Sequence, residues 1–440
     1  MDRNGQVEWI DHAHKALSQT YLYALSCDIG GTVSSLFCFS CKIRKKFSWL
    51  CMTIFESPFG NLVLERQPPD RSNTLRAWNQ ADLMLLNACA SLPDWRKARH
   101  LVVNDRFGAL TCALLKGGVS QLHWWHDSAM SLNAMQGNLA RNDLGADNLF
   151  IHQMPACPPE VDYVWLSIPK QIDLLRWQLS SLQNRRHAIR QITLGIMTKY
   201  ESPNLATCLD EYFVEWHRSR AEKKARRYHA SLWKTNEPEQ NQTAWYRTEF
   251  PERRCTLFNL PGTFSAQKID VGGRLLADCL PDIAPERVLD LGCGNGLLGL
   301  AAIDKYPDAE IIFVDESSMA IASAQKNVQH NRPEEQERCR FLWFDGTQPL
   351  HASDVDLVLC NPPFHQQEVI TTRIAELLFR RAYECLKVGG YLWVVANRHL
   401  PYQHRFRTLF GGYQVIKATR KFVVYGMQKR QRGSSSRRFK

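Results

Sequence analysis

The feature that most constrains the fold is a short apolar strand that runs into a glycine-rich turn and then a helix. The strand is Arg287–Asp290, the turn spans Asp290–Gly296, and the helix spans Leu297–Lys305. A chain that leaves a buried strand, turns sharply and starts a helix needs glycine, because glycine adopts positive φ freely and lets a ligand approach the backbone. Strand, turn and helix together predict the opening unit of a parallel α/β sheet.

The residues after this turn continue to alternate between strand and helix. The predicted elements are a strand at Glu310–Asp315, a helix carrying Ala320, Ala324 and Val328, a strand at Val355–Cys360, a helix at Ala375–Leu386, a turn at Gly389–Gly390, a strand at Tyr391–Ala396, and a closing hairpin of Tyr413–Ala418 and Lys421–Met427. Such alternation implies a parallel sheet with helices on both faces. We therefore predict a doubly wound α/β domain in the second half of the chain.

The first half repeats this pattern in eroded form. The turn after its first predicted strand keeps one glycine, Gly108, instead of three, and no Asn-Pro-Pro element occurs there. Asp127 stands eleven residues before Asn138. In the second half, Asp315 stands twelve residues before Asn327. We interpret the chain as an internal duplication, with two tandem Rossmann-like domains of which the N-terminal one is degenerate.

The domain boundaries are predicted from composition and pattern. Residues 1–51 do not resemble the rest of the chain and show no sustained helical periodicity. Because Met52 could be a second start codon, we expect 1–51 to be a disordered or untranslated extension. The other predicted units are the degenerate domain at 52–235, a linker at 236–257, the catalytic domain at 258–432 and a basic tail at 433–440.

The bulk composition narrows the class of protein. The formal net charge of the 440 residues is +11, which favours a polyanionic partner such as nucleic acid.

The 14 cysteines are scattered among apolar residues, as reduced thiols of a cytosolic protein are. Cys38 and Cys41 have zinc-ligand spacing but no second pair, so we expect no metal. No segment reads as a membrane span, and we expect a cytoplasmic protein with no membrane partner.

The glycine turn and the carboxylates after successive strands form a candidate cofactor site. A glycine-rich turn alone also fits dinucleotide binding. Asp315 ends the next strand, where a carboxylate accepts hydrogen bonds from both ribose hydroxyls; its alternative role is a helix N-cap, for which Ser317 and Ser318 compete. Asp345 ends a third candidate strand and can accept from an adenine amine; its alternative role is a turn carboxylate before Gly346. The candidate cofactor-binding residues are Asp290, Gly292, Cys293, Gly294, Asn295, Gly296, Asp315 and Asp345.

The candidate reacting site is the tetrapeptide Asn361, Pro362, Pro363 and Phe364, which follows a buried strand. An aromatic amine is a weak nucleophile, because its lone pair is delocalised into the ring. The amide oxygen of Asn361 and the carbonyl of Pro362 can each accept one N–H and so aim the lone pair at a methyl donor. The two prolines make the strand end rigidly, and Phe364 offers a face on which a base stacks, worth roughly 1–3 kcal/mol. This combination predicts methyl transfer from S-adenosylmethionine to a planar nitrogen.

Several motifs together resemble the tandem-domain ribosomal RNA guanine-N2 methyltransferases, over roughly Met52 to Lys429. The motifs are Val288–Gly296, Val314–Ser317, Cys360–Gln367 and Val395–Leu400, with further support from Phe264–Ser265 and Lys223–Arg226. The resemblance implies a seven-stranded class I methyltransferase fold in each half. It also implies that the first half is inactive and helps to hold RNA, and that the second half methylates N2 of one guanine in 23S rRNA.

A related group in this family acts on small-subunit (16S) rRNA, but its members tend to be shorter, and the extension His365–Gln367 favours the large-subunit group. The expected partner is therefore 23S rRNA, not DNA, bound by a monomer. The first 51 residues depart from the family pattern.

Four other interpretations remain open at this stage. The Asn-Pro-Pro-aromatic element also occurs in DNA adenine and protein glutamine methyltransferases, against which the tandem architecture and the basic segment between the halves argue. A nicotinamide-dependent oxidoreductase would share the glycine turn but leave Asn361–Phe364 unexplained. A non-catalytic RNA-binding or ribosome assembly factor fits the charge and the eroded first half, and it predicts that Asn361→Ala leaves function intact.

Overall fold

The computed structural model describes residues 54–69, 75–157, 159–235, 245–346, 350, 352–363 and 369–431, without the side chains of 369–373. Residues 53–440 form one compact unit. The predicted extension at 1–51, the start at Met52, the tail at 433–440 and Phe364 lie outside the described residues.

The first half contains a seven-stranded sheet flanked by helices. Its elements are β1 (Ile54–Ser57), β2 (Gly60–Val63), α1 (Gln80–Ala90), β3 (Arg99–Val103), α2 (Ala109–Gly117), β4 (Gln121–His126), α3 (Ala129–Arg141), β5 (Leu149–Gln153), β6 (Tyr163–Ser167), α4 (Ile172–Gln183), β7 (Gln191–Met197), α5 (Leu205–Tyr212), β8 (Phe213–Arg218) and β9 (Ala225–Trp233). The strand order is β5-β4-β3-β6-β7-β9-β8, with β9 antiparallel to its neighbours, and β1 and β2 form a separate hairpin.

The second half repeats this arrangement element by element. Its elements are β10 (Tyr246–Phe250), β11 (Cys255–Asn259), α6 (Val271–Ala277), β12 (Arg287–Leu291), α7 (Leu297–Lys305), β13 (Glu310–Asp315), α8 (Ser318–Asn331), β14 (Cys339–Trp343), β15 (Val355–Cys360), α9 (Val369–Cys385), β16 (Leu386–Asn397), α10 (Gln403–Phe410), β17 (Gln414–Ala418) and β18 (Phe422–Gln428). The strand order is β14-β13-β12-β15-β16-β18-β17, and β10 and β11 form the separate hairpin.

The two sheets therefore have the same topology, which confirms the predicted α/β fold with two tandem, doubly wound, seven-stranded Rossmann-like domains. The central strands are fully buried because helices cover both faces, as in β15, where every residue from Val355 to Cys360 is buried. Hairpin β10–β11 forms part of the segment predicted as a linker, and Phe250 and Leu257 pack into the core of the second half. The exact domain boundaries stay a prediction.

The predicted turn at Gly389–Gly390 was wrong, because both glycines lie inside strand β16. The pairing of β15 with β16 passes from Val355↔Leu386 to Leu357↔Tyr391, so β16 accommodates extra residues opposite β15. Gly389 has φ of +90°, and a Cβ on Gly390 would lie 2.9 Å from the carbonyl oxygen of Val355. The glycines thus permit an irregularity within the strand and do not end it.

Two buried asparagines confirm the duplication at the level of single hydrogen bonds. On α3, Asn138 Nδ2 donates to the carbonyls of Glu65 at 2.9 Å and Phe107 at 2.8 Å. On α8, Asn327 Nδ2 donates to the carbonyls of Phe258 at 3.0 Å and Asn295 at 2.9 Å. In each half, one amide thus ties the turn after the first sheet strand to the last strand of the separate hairpin or the residues just after it, since Phe258 lies in β11 and Glu65 lies two residues after β2.

The strand register corrects one predicted equivalence between the halves. Val103 pairs with Trp125 in the first sheet, as Leu291 pairs with Val314 in the second. The residue equivalent to Asp315 is therefore His126, and Asp127 corresponds to the residue after Asp315. The predicted correspondence of Asp127 with Asp315 was wrong by one position. Ser128 and Ser317 are the N-caps of α3 and α8, and the residues directly before them are Asp127 and Glu316.

No helix in the described ranges combines the length and apolar character needed to cross a bilayer.

Candidate active site

A cavity of about 440 Å³ lies at the carboxyl ends of the second sheet's strands. Its walls include the turn after β12, the end of β13, the segment after β14 and the residues that follow β15. The first half contributes Arg106, Phe107 and Ser128, and the exposed ring of Phe264 also faces the cavity. This is where an open parallel α/β sheet binds its ligands, because loops diverge there and helix N-termini point inward.

The glycine turn is open toward the cavity. Gly292, Gly294 and Gly296 have φ of +77°, +54° and +81°, which disfavour side chains. No described atom lies within 4 Å of a Cβ built on Gly292 or Gly294. Side chains there would project into the space where a nucleoside can lie, so the turn fits a nucleotide-like cofactor. Cys293 and Asn295, also predicted as cofactor-binding, line the same cavity, and the contacts of all five residues stay predictions.

Asp290 lies beneath the turn and does not line the cavity. Its Oδ2 accepts a hydrogen bond from the Gly299 N–H at 2.8 Å, while Oδ1 has no donor among the described residues. Burial raises the pKa of this carboxyl to about 7, Asp315 adds to the rise, and the Gly299 N–H opposes it. Asp290 therefore holds the start of α7 against β12. Its predicted part in cofactor binding would be indirect.

Asp315 ends β13 with its carboxylate at the cavity wall. Oδ2 accepts from the Gly294 N–H at 2.8 Å, and Oδ1 accepts from the Ser317 N–H at 2.9 Å. Ser317, not Asp315, is the N-cap of α8, since its Oγ accepts from the Ala320 N–H. Burial raises the pKa of Asp315, against the lowering effect of the two N–H donors. A carboxylate oxygen that accepts one N–H has a second lone pair, and acceptance from ribose hydroxyls by Asp315 stays a prediction.

Asp345 lies two residues beyond β14 and is buried in the cavity wall. Its Oδ2 accepts a hydrogen bond of 2.7 Å from Asn133 Nδ2, which belongs to α3 of the first half. No local sequence pattern indicates this contact, because the two residues are separated by 212 positions. The predicted adenine contact of Asp345 therefore involves a carboxylate that the first half orients.

Asn361 follows β15, and its amide is held on one side only. Nδ2 donates to Asp270 Oδ2 at 2.8 Å, while the buried Oδ1 has no donor among the described residues. Pro362 is buried and Pro363 lines the cavity beside Asn361. The structure thus leaves one strong acceptor unused at the place where the sequence predicts that an amine binds. Asp270 was missed by the sequence analysis, because nothing in its local sequence links it to Asn361.

The loops after β4 and β13 bind each other in a reciprocal manner, which brings the first half to the cavity. The hydrogen bonds are Ala129 N–H to Glu316 O at 2.8 Å, Ser318 N–H to Asp127 O at 2.8 Å, Ser128 Oγ to Glu316 Oε2 at 2.5 Å and Ser317 Oγ to Asp127 Oδ2 at 2.9 Å. Ser128 and Ser317 also pair as an isolated β-bridge. The loop predicted to hold ribose is therefore supported from the first half.

Comparison with known proteins identifies the family. Residues 52–233 match the RLMG N-terminal domain, and residues 254–426 match the methyltransferase small domain. Over 368 residues the chain is 37% identical to ribosomal RNA large subunit methyltransferase G of Yersinia enterocolitica, covering 82% of this chain and 90% of that protein. The chain belongs to the ribosomal RNA large subunit methyltransferase G family. This agrees with the family expected from the sequence motifs.

A solved structure has the same tandem fold. The 16S rRNA N2 methyltransferase RsmC of T. thermophilus, in complex with AdoMet and guanosine, covers 86% of this chain and 98% of its own, with a TM-score of 0.66 and 20% identity. At this identity the likeness concerns the fold, and it agrees with the paired seven-stranded sheets of this methyltransferase G family member.

The first half of this family member departs from a cofactor site in a specific way. By strand register, Arg106 and Phe107 replace Gly294 and Asn295 of the second half. The Arg106 guanidinium lies 5.3 Å from the centroid of the Phe107 ring. An arginine side chain thus stands where the second half has Gly294, and a phenylalanine replaces Asn295, which is the physical basis of the predicted degeneracy. Among the described residues, no cluster of three or more His, Cys, Asp or Glu could hold a metal ion.

Proposed function

We propose that this protein transfers the methyl group of S-adenosylmethionine to N2 of a guanine in 23S rRNA. The observation that carries the proposal is the buried Oδ1 of Asn361, which follows β15 and has no donor within the part of the chain that the structure describes, beside a cavity whose glycine turn fits a nucleoside. Membership of the methyltransferase G family supports ribosomal RNA as substrate and the large subunit as its source. A ribosomal RNA substrate implies a cytoplasmic reaction, and we expect a monomer.

Each residue proposed to hold the cofactor would contact a different part of it. Gly292 and Gly294 allow close approach of the backbone, Asp315 accepts from the ribose, and Asp345 accepts from the adenine amine. When bound, S-adenosylmethionine supplies the electrophilic methyl group. The remaining contribution of the protein is positioning, because holding reacting atoms near 3 Å and in line can lower a barrier by up to about 7–11 kcal/mol.

Asn361 and Pro362 are proposed to position the acceptor amine. Guanine N2 carries two N–H bonds, and the Asn361 Oδ1 and the Pro362 carbonyl would accept one each. With both protons held, the lone pair is directed out of the ring plane. The N–CH3 bond would form as the S–CH3 bond breaks, S-adenosylhomocysteine would leave, and the extra proton on N2 would pass to water. Donating to Oδ1 also satisfies an acceptor whose burial without a partner costs about 1–3 kcal/mol.

The first experiment is methyl transfer from labelled S-adenosylmethionine to rRNA that lacks the modification, with wild type and Asn361→Ala. We expect N2-methylguanosine in the 23S fraction with wild type and a loss of at least roughly a hundredfold in rate with the variant. Asn184→Ala, which changes an exposed asparagine after α4, is the matched control and should match wild type.

The other outcomes separate the alternatives. Label in the 16S fraction would favour a small-subunit enzyme, and label on DNA or protein would overturn the RNA substrate. A protein that binds RNA equally well with and without the Asn361 amide and labels nothing would be a non-catalytic binding factor. Assembled particles should be tested beside free RNA, because either can present the guanine.

We also propose that the first half binds RNA with the carboxyl edge of its sheet. The ammonium groups of Lys170 and Lys199 lie 4.8 Å and 4.6 Å from the centroid of the exposed Tyr200 ring. Lys223 and Lys224 lie in the exposed turn between β8 and β9, next to Thr198, whose N–H donates to the Lys224 carbonyl. Cations beside an exposed aromatic ring suit phosphates and stacked bases.

This RNA surface can be tested with the double variant Lys170→Ala/Lys199→Ala. We expect weaker binding of rRNA fragments and a slope of log affinity against log salt that is shallower by roughly one to two. The control is Lys97→Ala/Lys116→Ala, since both lysines lie at the opposite edge of the same sheet. Equal effects of the two double variants would mean that only net charge matters and would contradict a localised surface.

A further inference from the structure

The geometry points to Asp270 as the positioning residue that decides which end of the Asn361 amide faces the substrate. Asp270 Oδ2 accepts a hydrogen bond of 2.8 Å from Asn361 Nδ2, across 91 positions of the sequence. Asp270 also lines the cavity. This inference rests on the proposed function of Asn361 and assigns a role to a residue outside the Asn-Pro-Pro-Phe tetrapeptide.

The carboxylate of Asp270 is itself held in place. It is the N-cap of α6, and the same Oδ2 accepts from the Gly273 N–H at 2.5 Å. A Cβ on Gly272 would lie 3.6 Å from Asn361 Oδ1, and the Cβ of a side chain at position 273 would lie 3.5 Å from Nδ2 and 3.2 Å from Asp270 Oδ2. These distances place the start of α6 directly beside the Asn361 amide, so that one oxygen caps the helix and orients the amide.

Orientation matters because the two ends of an amide have nearly the same shape and opposite hydrogen-bonding character. An ionised carboxylate only accepts, so it stabilises the arrangement with Nδ2 toward Asp270 and opposes the flipped one. The substrate amine donates through both of its N–H bonds. A flipped amide would set Nδ2 against those donors, whereas the observed orientation leaves Oδ1 for them. Asp270 thereby keeps the acceptor end available before the substrate binds.

Three substitutions separate helix capping from amide orientation. Asp270→Ser keeps an N-cap oxygen for Gly273 but is too short to reach Asn361. Asp270→Asn can place its Oδ1 where Oδ2 lies and make both hydrogen bonds. Asp270→Ala loses both. Asp308→Ser, which changes an exposed aspartate in the turn between α7 and β13, is the control.

The kinetic readout is methyl transfer to rRNA with saturating cofactor, together with the affinity for S-adenosylhomocysteine and the melting temperature. For Asp270→Ser we expect a kcat lower by roughly ten- to a hundredfold, with cofactor affinity and melting temperature near wild type. Asp270→Asn should recover most of the lost kcat, and Asp270→Ala should lose melting temperature as well. An Asp270→Ser protein with wild-type kcat would overturn the inference.

A spectroscopic readout tests the same inference without RNA. In protein labelled with ¹⁵N-asparagine, the Asn361 side-chain NH2 signal is identified by its loss in Asn361→Ala. We expect a downfield, slowly exchanging proton in wild type and Asp270→Asn that is lost in Asp270→Ser. An unchanged signal in Asp270→Ser would refute the orienting role. If wild type methylates no RNA, the proposed function fails, while this comparison still decides the role of Asp270.

Discussion

At the scale of single residues, Asn361 Oδ1 and Asp290 Oδ1 are two of the buried acceptors of the second half that lack a donor among the described residues. The two oxygens differ in which group can donate a hydrogen bond or a proton to them. The Asn361 acceptor adjoins the cavity, so a substrate N–H can satisfy it. Asp290 does not line the cavity, so a ligand there does not contact it. Burial raises the pKa of its carboxyl to about 7, so this group takes up a proton instead.

The raised pKa of Asp290 predicts a pH-dependent stability. In the folded protein the carboxyl holds its proton up to about pH 7, whereas its ordinary pKa is 3.8, so the folded state binds more protons between these values. The stabilising contribution is complete below pH 3.8 and is lost as the pH rises through about 7. Asp290→Asn stays neutral while still accepting from Gly299. We therefore expect its melting temperature, relative to wild type, to be higher at pH 8 than at pH 5.

Thermal unfolding of both proteins across this pH range checks the prediction. Asp147→Asn, which changes an exposed aspartate after α3, provides the control for loss of one negative charge. A difference between Asp290→Asn and wild type that is constant with pH would show that Asp290 is ionised throughout.

At the scale of elements, the contact of helix α7 with strand β13 depends on Gly299. A Cβ on Gly299 would lie 2.0 Å from Cε1 of Phe313, which is buried and stacks on Phe341 with ring centroids 4.8 Å apart. The helix that begins at the glycine turn can therefore approach the sheet only if this position has no side chain. Glycine is therefore required twice in this segment, first in the turn itself and then where the following helix contacts the sheet.

We expect Gly299→Ala to lower the free energy of unfolding by about 1–3 kcal/mol, because the added methyl group forces Phe313 or the helix to move. Gly137→Ala is the matched control, since Gly137 lies in helix α3 with no described atom within 4 Å of its added Cβ. That change should raise stability, by up to about 1 kcal/mol. Denaturant unfolding measures both, and a neutral Gly299→Ala would contradict the close packing.

Local patterns predicted elements well where the chain is locally consistent. Leu297–Lys305 and Glu310–Asp315 have the predicted bounds, because an apolar run and its flanking breakers decide both. Gly389 misled the prediction, because glycine marks irregular strands as well as turns. Asp270 and Asn133 could not be found from sequence, since their partners are brought to them only by the assembled fold.

At the scale of the whole molecule, the two halves share one cavity. Arg106 and Ser128 of the first half line it, and Asn133 orients Asp345 within its wall. The degenerate half has bulky side chains in its own turn, yet it contacts the residues proposed to hold ribose and adenine. We therefore propose that its role extends from the proposed RNA surface to the proposed cofactor site.

Asn133→Ala should weaken the binding of S-adenosylhomocysteine by roughly tenfold, because a hydrogen bond to a charged carboxylate is worth about 1.5–3 kcal/mol. Gln136→Ala, on an exposed position of the same helix, is the control and should bind as wild type does. Calorimetric titration measures both. Unchanged affinity in Asn133→Ala would mean that Asp345 either needs no orientation or makes no cofactor contact.

The reciprocal hydrogen bonds between the loops after β4 and β13 bear on how the two-domain chain arose. Ala129 binds Glu316 as Ser318 binds Asp127, and Ser128 meets Ser317 directly. Equivalent residues exchange equivalent contacts in this way when a two-fold axis passes between identical subunits. We infer that the ancestor was a homodimer in which each subunit supported its partner's ribose loop. Within one chain, that contact no longer depends on the concentration of a partner subunit.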